Sequence, residues 1–199
     1  IYTLSLHDAL PIYELGVDIL QMTDAAENIT PGNTQLKNIE RVDLGAGNDT
    51  LMVSTDPDGP EEYHGGADND RLMGGAASRA LKLYGDDGLD TLFGGQYEDT
   101  LYGGAESDEL HGGKGNDSLY GDGGRDRLYG GGDDDLLDGG ADADALEGGA
   151  GFDTYIADDG DTIRDSDEQG AVVFGDITLH RGEQEKEGSS KYKDSQGSS

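Results

Sequence analysis

An all-β stack of short strands joined by glycine-rich turns is the fold class the sequence predicts, and three observations predict it. From Gly85 the chain divides into eight consecutive nine-residue blocks, GDDGLDTLF, GGQYEDTLY, GGAESDELH, GGKGNDSLY, GDGGRDRLY, GGGDDDLLD, GGADADALE and GGAGFDTYI. The sixth position is aspartate in all eight (Asp90, Asp99, Asp108, Asp117, Asp126, Asp135, Asp144 and Asp153), and the eighth is apolar in all eight (Leu92, Leu101, Leu110, Leu119, Leu128, Leu137, Leu146 and Tyr155). Glycine is abundant, at 35 of 199 residues, while only 33% of the chain is hydrophobic. A short fixed period of this kind marks a solenoid, in which neighbouring repeats bury together what none can bury alone.

The charge sets what such a stack can bind. Lys and Arg number 13 against 44 Asp and Glu, a formal net charge of −31. Low hydrophobicity with a large charge of one sign describes a chain that does not collapse unaided. Phosphate backbones would be repelled, which excludes nucleic acid; a cationic partner fits. With no cysteine, disulfides and thiolate metal sites are excluded and oxygen ligands remain. No apolar run approaches the ~20 residues needed for a transmembrane helix, and the N-terminus lacks the order of a secretory signal. The length suits one domain with tails.

Along the chain, residues 2–12 read YTLSLHDALPI, which resembles the in-frame translation of a sequencing adapter; natural sequence is expected from about Tyr13, with more upstream. His7 and Asp8 therefore carry no site. Residues 13–43 form a lead-in, in which 34–44 (TQLKNIERVDL) has β-type residues suited to an N-terminal cap. The block LGAGNDTLM at 44–52 places Asp49 and Leu51 in register. Residues 54–64, with Pro57 and Pro60, read as a loop interrupting the stack. GGADNDRLM at 65–73 restores the register with Asp70 and Leu72. A degenerate copy, GGAASRALKLY at 74–84, is two residues too long and carries Arg79 where aspartate is expected. The regular blocks follow to residue 156. Strand-like runs around Thr162, Ala171 to Phe174 and Ile177 to Leu179 form a C-terminal cap over 157–180, and the polar residues 181–199 are expected to be disordered.

The blocks resemble the G-G-x-G-x-D-x-U-x nonapeptide of the RTX, haemolysin-type, calcium-binding repeat family, U being a large apolar residue, over residues 44–156. The resemblance implies a right-handed parallel β-roll, a flattened spiral with two repeats per turn and calcium between stacked loops. It also implies a secreted bacterial protein whose partners are calcium ions and a type I secretion exporter, with a monomer expected. The tail lacks the apolar ending expected of that exporter's signal.

The residue types suit that chemistry. Each block splits into a six-residue turn and a three-residue strand; alternation along the strand sends the eighth residue inward. Two blocks per turn place loops 18 residues apart on one edge. One column then holds Asp70, Asp90, Asp108, Asp126 and Asp144, the other Asp99, Asp117, Asp135 and Asp153, and the gaps between them make seven expected sites, with Asp49 a further ligand in register. Glycine carbonyls complete the supply: Gly85, Gly94, Gly103, Gly112, Gly121, Gly130, Gly139 and Gly148 at the first position, Gly95, Gly104, Gly113, Gly131, Gly140 and Gly149 at the second, Gly88, Gly115, Gly124 and Gly151 at the fourth. Calcium takes six to eight oxygens, whereas magnesium demands a tighter octahedron and retains water. Ordering a block costs about 1–2 kcal/mol per residue, and burying its one leucine returns about 1.5–3 kcal/mol, so folding is expected to require the ion.

Departures from the pattern mark places to watch. The fourth position holds Tyr97, Glu106, Asp133 and Asp142; aspartate tolerates turns, whereas Tyr97 and Glu106 put their loops in doubt. If the two extra residues bulge, Arg79 sits over the Asp99 loop in place of an ion, and Arg79→Asp is expected to raise the calcium count by one. Tyr84, Tyr102 and Tyr120 are 18 apart and line one outer face, with Phe93, His111 and Tyr129 on the other; cross-strand packing is favoured over an aromatic platform for sugar. His64 and His111 read as surface residues. Asp165, Asp167 and Gly170 resemble part of an EF-hand loop between strand-like flanks, which favours an acidic turn. No nucleophile elbow, HExxH pair or phosphate loop is present, so the chain itself is not expected to be an enzyme. The leading expectation is a calcium-triggered folding module; the alternatives are the C-terminal part of a secreted protease, lipase or haemolysin, or an adhesin spacer.

Overall fold

The computed structural model describes residues 39–53, 59–167 and 169–174, and beyond them the backbone of strands Ile19–Gln21, Asn28–Ile29, Ile177–His180, Glu183–Gln184 and Tyr192–Lys193. The adapter-like residues 2–12, most of the lead-in, residues 54–58 of the interrupting loop and most of the tail lie outside the described residues. Within the tail, Glu183–Gln184 and Tyr192–Lys193 pair antiparallel.

Strands numbered in chain order alternate between two sheets. One contains β1 (Ile19–Gln21), β3 (Arg41–Ala46), β5 (Glu62–Ala67), β7 (Lys82–Asp87), β9 (Thr100–Ala105), β11 (Ser118–Gly123), β13 (Leu136–Asp138), β15 (Asp153–Ala157) and β17 (Gly170–Phe174), each beside the next. The other contains β2 (Asn28–Ile29), β4 (Thr50–Met52), β6 (Arg71–Met73), β8 (Thr91–Gly95), β10 (Glu109–Lys114), β12 (Arg127–Gly132), β14 (Ala145–Ala150) and β16 (Thr162–Arg164). Pairing throughout these two stacks is parallel. Successive strands thus lie on opposite walls, two blocks make one turn, and about seven turns build a parallel β-roll. In the regular region equivalent residues pair 18 apart, as in Leu83 with Leu101 and Leu110 with Leu128.

The strands are longer than the sequence predicts. Typical ones run six residues and take in the first three of the next block, because the first glycines continue the extended ladder, as Gly113 does opposite Gly131. Only the fourth to sixth positions remain as the turn. Along each strand burial alternates, so the eighth-position residues Leu92, Leu101, Leu110, Leu119, Leu128 and Leu137 are fully buried between the walls while their neighbours face outward. Leu44, Leu51, Leu72 and Leu83 extend the same core toward the N-terminus, and Tyr155 and Val172 close it below.

The walls keep their pairing across both irregular stretches, and residues 62–64, expected in the interrupting loop, belong instead to wall strand β5. Val42 pairs with Tyr63 and Leu51 with Leu72, a spacing of 21 residues, and Tyr63 with Leu83, a spacing of 20. At the other end β18 (Ile177–His180) adds antiparallel to β17, which ends the parallel repeat. No helix among the described residues is long and apolar enough to cross a membrane.

Candidate metal centre

The aspartates expected in two columns form two columns, and each is hydrogen-bonded to the next. The N–H of Asp90 donates to Asp108 Oδ1 at 2.7 Å, Asp108 N–H to Asp126 Oδ1 at 2.8 Å and Asp126 N–H to Asp144 Oδ1 at 2.8 Å. On the other edge Asp99 N–H donates to Asp117, Asp117 to Asp135 and Asp135 to Asp153, at 2.7–3.0 Å. All are 3% exposed or less. The first column is longer than the sequence reading drew it. Asp49 joins at the top through Asp70, which bonds in turn to Asp90. Asp161, missed in the sequence, closes the bottom by accepting from Asp144 N–H at 2.9 Å. Its signal was legible: Asp161 and Ile163 keep the aspartate-to-apolar spacing, in a block one residue short.

Carbonyl oxygens line the same gaps. A Cβ built on Gly104, Gly113, Gly131, Gly140 or Gly149 would lie 2.1–2.4 Å from the second-position carbonyl oxygen of the loop before. At the fourth position Gly88, Gly124 and Gly151 stand 1.9–2.1 Å, by the same construction, from the oxygens of Asp68, Glu106 and Asp133. A Cβ added at these glycines would meet that oxygen unless the loop shifted, and the second-position residues also hold positive φ, +112° at Gly104 and +117° at Gly131. Where glycine is absent the geometry persists: Glu106 adopts φ 71° and Asp133 and Asp142 φ 78°. The Glu106 loop is thus built like the rest, its carboxylate accepting Gly88 N–H. Tyr97 is not among the positive-φ residues, yet its loop still delivers Asp99 to the column.

The other oxygen of these carboxylates carries the chemistry. Oδ2 of Asp70, Asp90, Asp108, Asp117, Asp126, Asp135, Asp144 and Asp153 is buried with no hydrogen-bond partner among the described residues. Leaving a buried charged oxygen unsatisfied is costly unless a cation meets it. Burial, with smaller contributions from neighbouring carboxylates, pushes Asp108 and Asp117 up to about 8 and Asp70, Asp135 and Asp144 up to about 7. No three His, Asp or Glu side chains converge on one point among the described residues. A cation between these loops would therefore meet few carboxylates and several main-chain carbonyls, a hard all-oxygen set of the kind that suits calcium.

A second interloop ladder, unforeseen in the sequence, runs through the variable fifth position. Asn69 N–H donates to Asn48 Oδ1, Leu89 N–H to Asn69 Oδ1, Arg125 N–H to Ser107 Oγ and Asp134 N–H to Asn116 Oδ1. Short polar side chains there reach one layer down; variation among Asn, Ser and Asp hid the pattern.

The degenerate copy corrects the sequence reading. Leu81, not Arg79, occupies the aspartate place, since its N–H donates to Asp99 Oδ1 at 2.8 Å as Asp99 N–H does to Asp117. The two extra residues are accommodated earlier in the turn, and the Arg79 guanidinium reaches the carbonyls of Gly59 and Pro60, on the side of its loop away from Asp99.

The aromatic columns are stacks. His64, Tyr84, Tyr102 and Tyr120 lie ring on ring at centroid spacings of 4.2–4.9 Å, and Phe93, His111 and Tyr129 do so at 4.6 Å. Ring faces are spent on one another, which leaves edges rather than a platform for sugar. His64 is not the surface residue expected: it is buried beneath the stack, its ring nitrogens meeting Asp86 at 2.9 Å and Glu62 at 3.1 Å. Burial lowers its pKa, but the bonds and charges of Asp86 and Glu62 outweigh this and hold the imidazole above its usual value. Asp165 and Asp167 spend their carboxylates inside an acidic turn, on the N–H groups of Asp167, Gln169 and Gly151.

A parallel roll with glycine turns and columns of buried aspartate defines a cation-binding repeat module. A family model described as RTX calcium-binding nonapeptide repeat (4 copies) matches residues 58–78, 84–119 and 120–155. This repeat region belongs to that family, and the repeats are calcium-binding repeats. A search of curated proteins found no match to the chain.

Proposed function

We propose that the chain is a calcium-folded module of a secreted bacterial protein, leaving the cell through a type I exporter while unfolded and folding outside, where calcium is abundant. The observation that carries this is the row of buried, unpartnered aspartate Oδ2 atoms. Residues of both columns, from Asp70 to Asp144 and from Asp99 to Asp153, hold the ions with the glycine-turn carbonyls between them. Seven gaps follow the expected pattern, and the pairs Asp49–Asp70 and Asp144–Asp161 add one candidate at each end of the first column. When bound, calcium neutralises the columns and ties each loop to the next. Titration calorimetry at pH 7.5 is expected to count seven to nine calcium ions per chain and much weaker uptake of magnesium; no uptake at millimolar calcium would overturn the reading.

The columns also set a pH dependence. Their carboxyl pKa values in the metal-free fold stand at about 6–8 against an ordinary 3.8. Folding without metal therefore takes up protons: this contribution is fully present below about 4 and is lost as pH rises through 6 to 8. The same protons compete with the ion. Because the unfolded carboxyls stay ionised in this range while protons stabilise the metal-free fold, the calcium midpoint for folding, read by circular dichroism, is expected to fall as pH drops from 8 to 5.5, and a midpoint that rises would contradict the raised carboxyl pKa values.

A further inference from the structure

We infer that the guanidinium of Arg79 is a built-in cation that takes the place of a metal ion at the layer where the second aspartate column is broken. The inference rests on the calcium reading above. Main-chain bonds fix which residues are equivalent on that edge: Lys82 N–H donates to Glu61 O, Thr100 N–H to Leu81 O and Ser118 N–H to Asp99 O. Glu61, Leu81, Asp99 and Asp117 thus occupy one position in successive loops. From Asp99 downward that position is a buried carboxylate. Above it stand Leu81, buried in the apolar core at 2% exposure, and Glu61, which is exposed. Among the described residues, the gap between the Glu61 and Leu81 loops therefore has no buried aspartate at the position that carries one in the layers below.

What it has is a positive charge already in place. Arg79 is half-buried, and its Nη2 donates to two carbonyl oxygens of the loop before, those of Gly59 and Pro60. In the other gaps the oxygens available to a cation are likewise turn carbonyls. A guanidinium is always charged and carries fixed donors suited to neighbouring oxygens. The two residues by which the copy exceeds nine place that side chain within the turn without shifting the wall, since Leu83 still pairs with Leu101. Loss of the aspartate and gain of the arginine belong to one substitution of ligand set. Such a layer needs no calcium of its own and ties the irregular N-terminal turns to the regular roll.

The test compares the full chain with Arg79→Lys and Arg79→Gln in saturating calcium, by hydrogen exchange in β5 and in β11 and β12. Arg79→Gln is expected to speed exchange in β5 about tenfold or more, the scale of losing bonds from a charged donor, and Arg79→Lys by less, since charge is kept and the fork lost. Exchange in β11 and β12 is expected to stay as in the wild type. Equal exchange in all three proteins, or equal loss in Lys and Gln, would overturn the inference. Ion uptake by the wild type, counted separately, tests the calcium reading on which it rests.

Discussion

Chelation of divalent cations at pH 7.5 is expected to unfold the repeat region as a whole, and restored calcium to refold it cooperatively. Adjacent layers of a parallel roll are about 4.8 Å apart. Two charged carboxylates at that spacing repel by roughly 3 kcal/mol at an effective dielectric constant of about 20, and the columns stack such pairs one upon another. The interior opposing them is one leucine wide, Leu101 facing the next block's Leu110 across the roll. Repeat architectures draw stability from nearest-neighbour contacts, so weakening every interloop gap at once leaves no intact subdomain. The far-ultraviolet circular dichroism signal for β-structure is expected to vanish in chelator at neutral pH. Retention of that signal would show that hydrogen bonds and leucines suffice.

The second large effect is expected from a single methyl group. Gly131→Ala would set a Cβ 2.3 Å from the Gly113 carbonyl oxygen at a φ of +117°, where L side chains rarely stand. Its neighbour Gly132 holds no positive φ, and a Cβ there finds the same oxygen 4.0 Å away. Strain at the first site and displacement of a carbonyl from an interloop gap combine to about 2–4 kcal/mol, whereas Gly132→Ala is expected within about 0.5 kcal/mol of wild type. Thermal unfolding in saturating calcium separates them. Equal melting temperatures would mean that the loops do not stack as closely as described.

Much of this was legible because the repeat ties chemistry to position. The sixth-position aspartates and eighth-position leucines fix both edges and the core, so Asp90 to Asp153 appear where counting by nine places them. Counting failed where the count itself changed. In the copy at 74–84 the reading by position put Arg79 in the aspartate place, but the wall takes precedence: Leu83 must remain in the core, and Leu81, two residues before it, inherits the ligand position. Asp161 escaped for the converse reason, its block being one residue short. The fifth-position ladder was hidden because Asn48, Ser107 and Asn116 perform one task with different side chains. His64 was misjudged because nothing local shows that Tyr84 stacks over it from 20 residues away.

The central claim concerns where the cations sit, and an anomalous difference map from crystals grown in calcium locates them directly. The account predicts a row of peaks on each edge of the roll, each between successive loops, beside carboxylate oxygens such as those of Asp108 and Asp126 and the turn carbonyls facing them. Peaks confined to the outer acidic surface, or gaps closed without any peak, would contradict it.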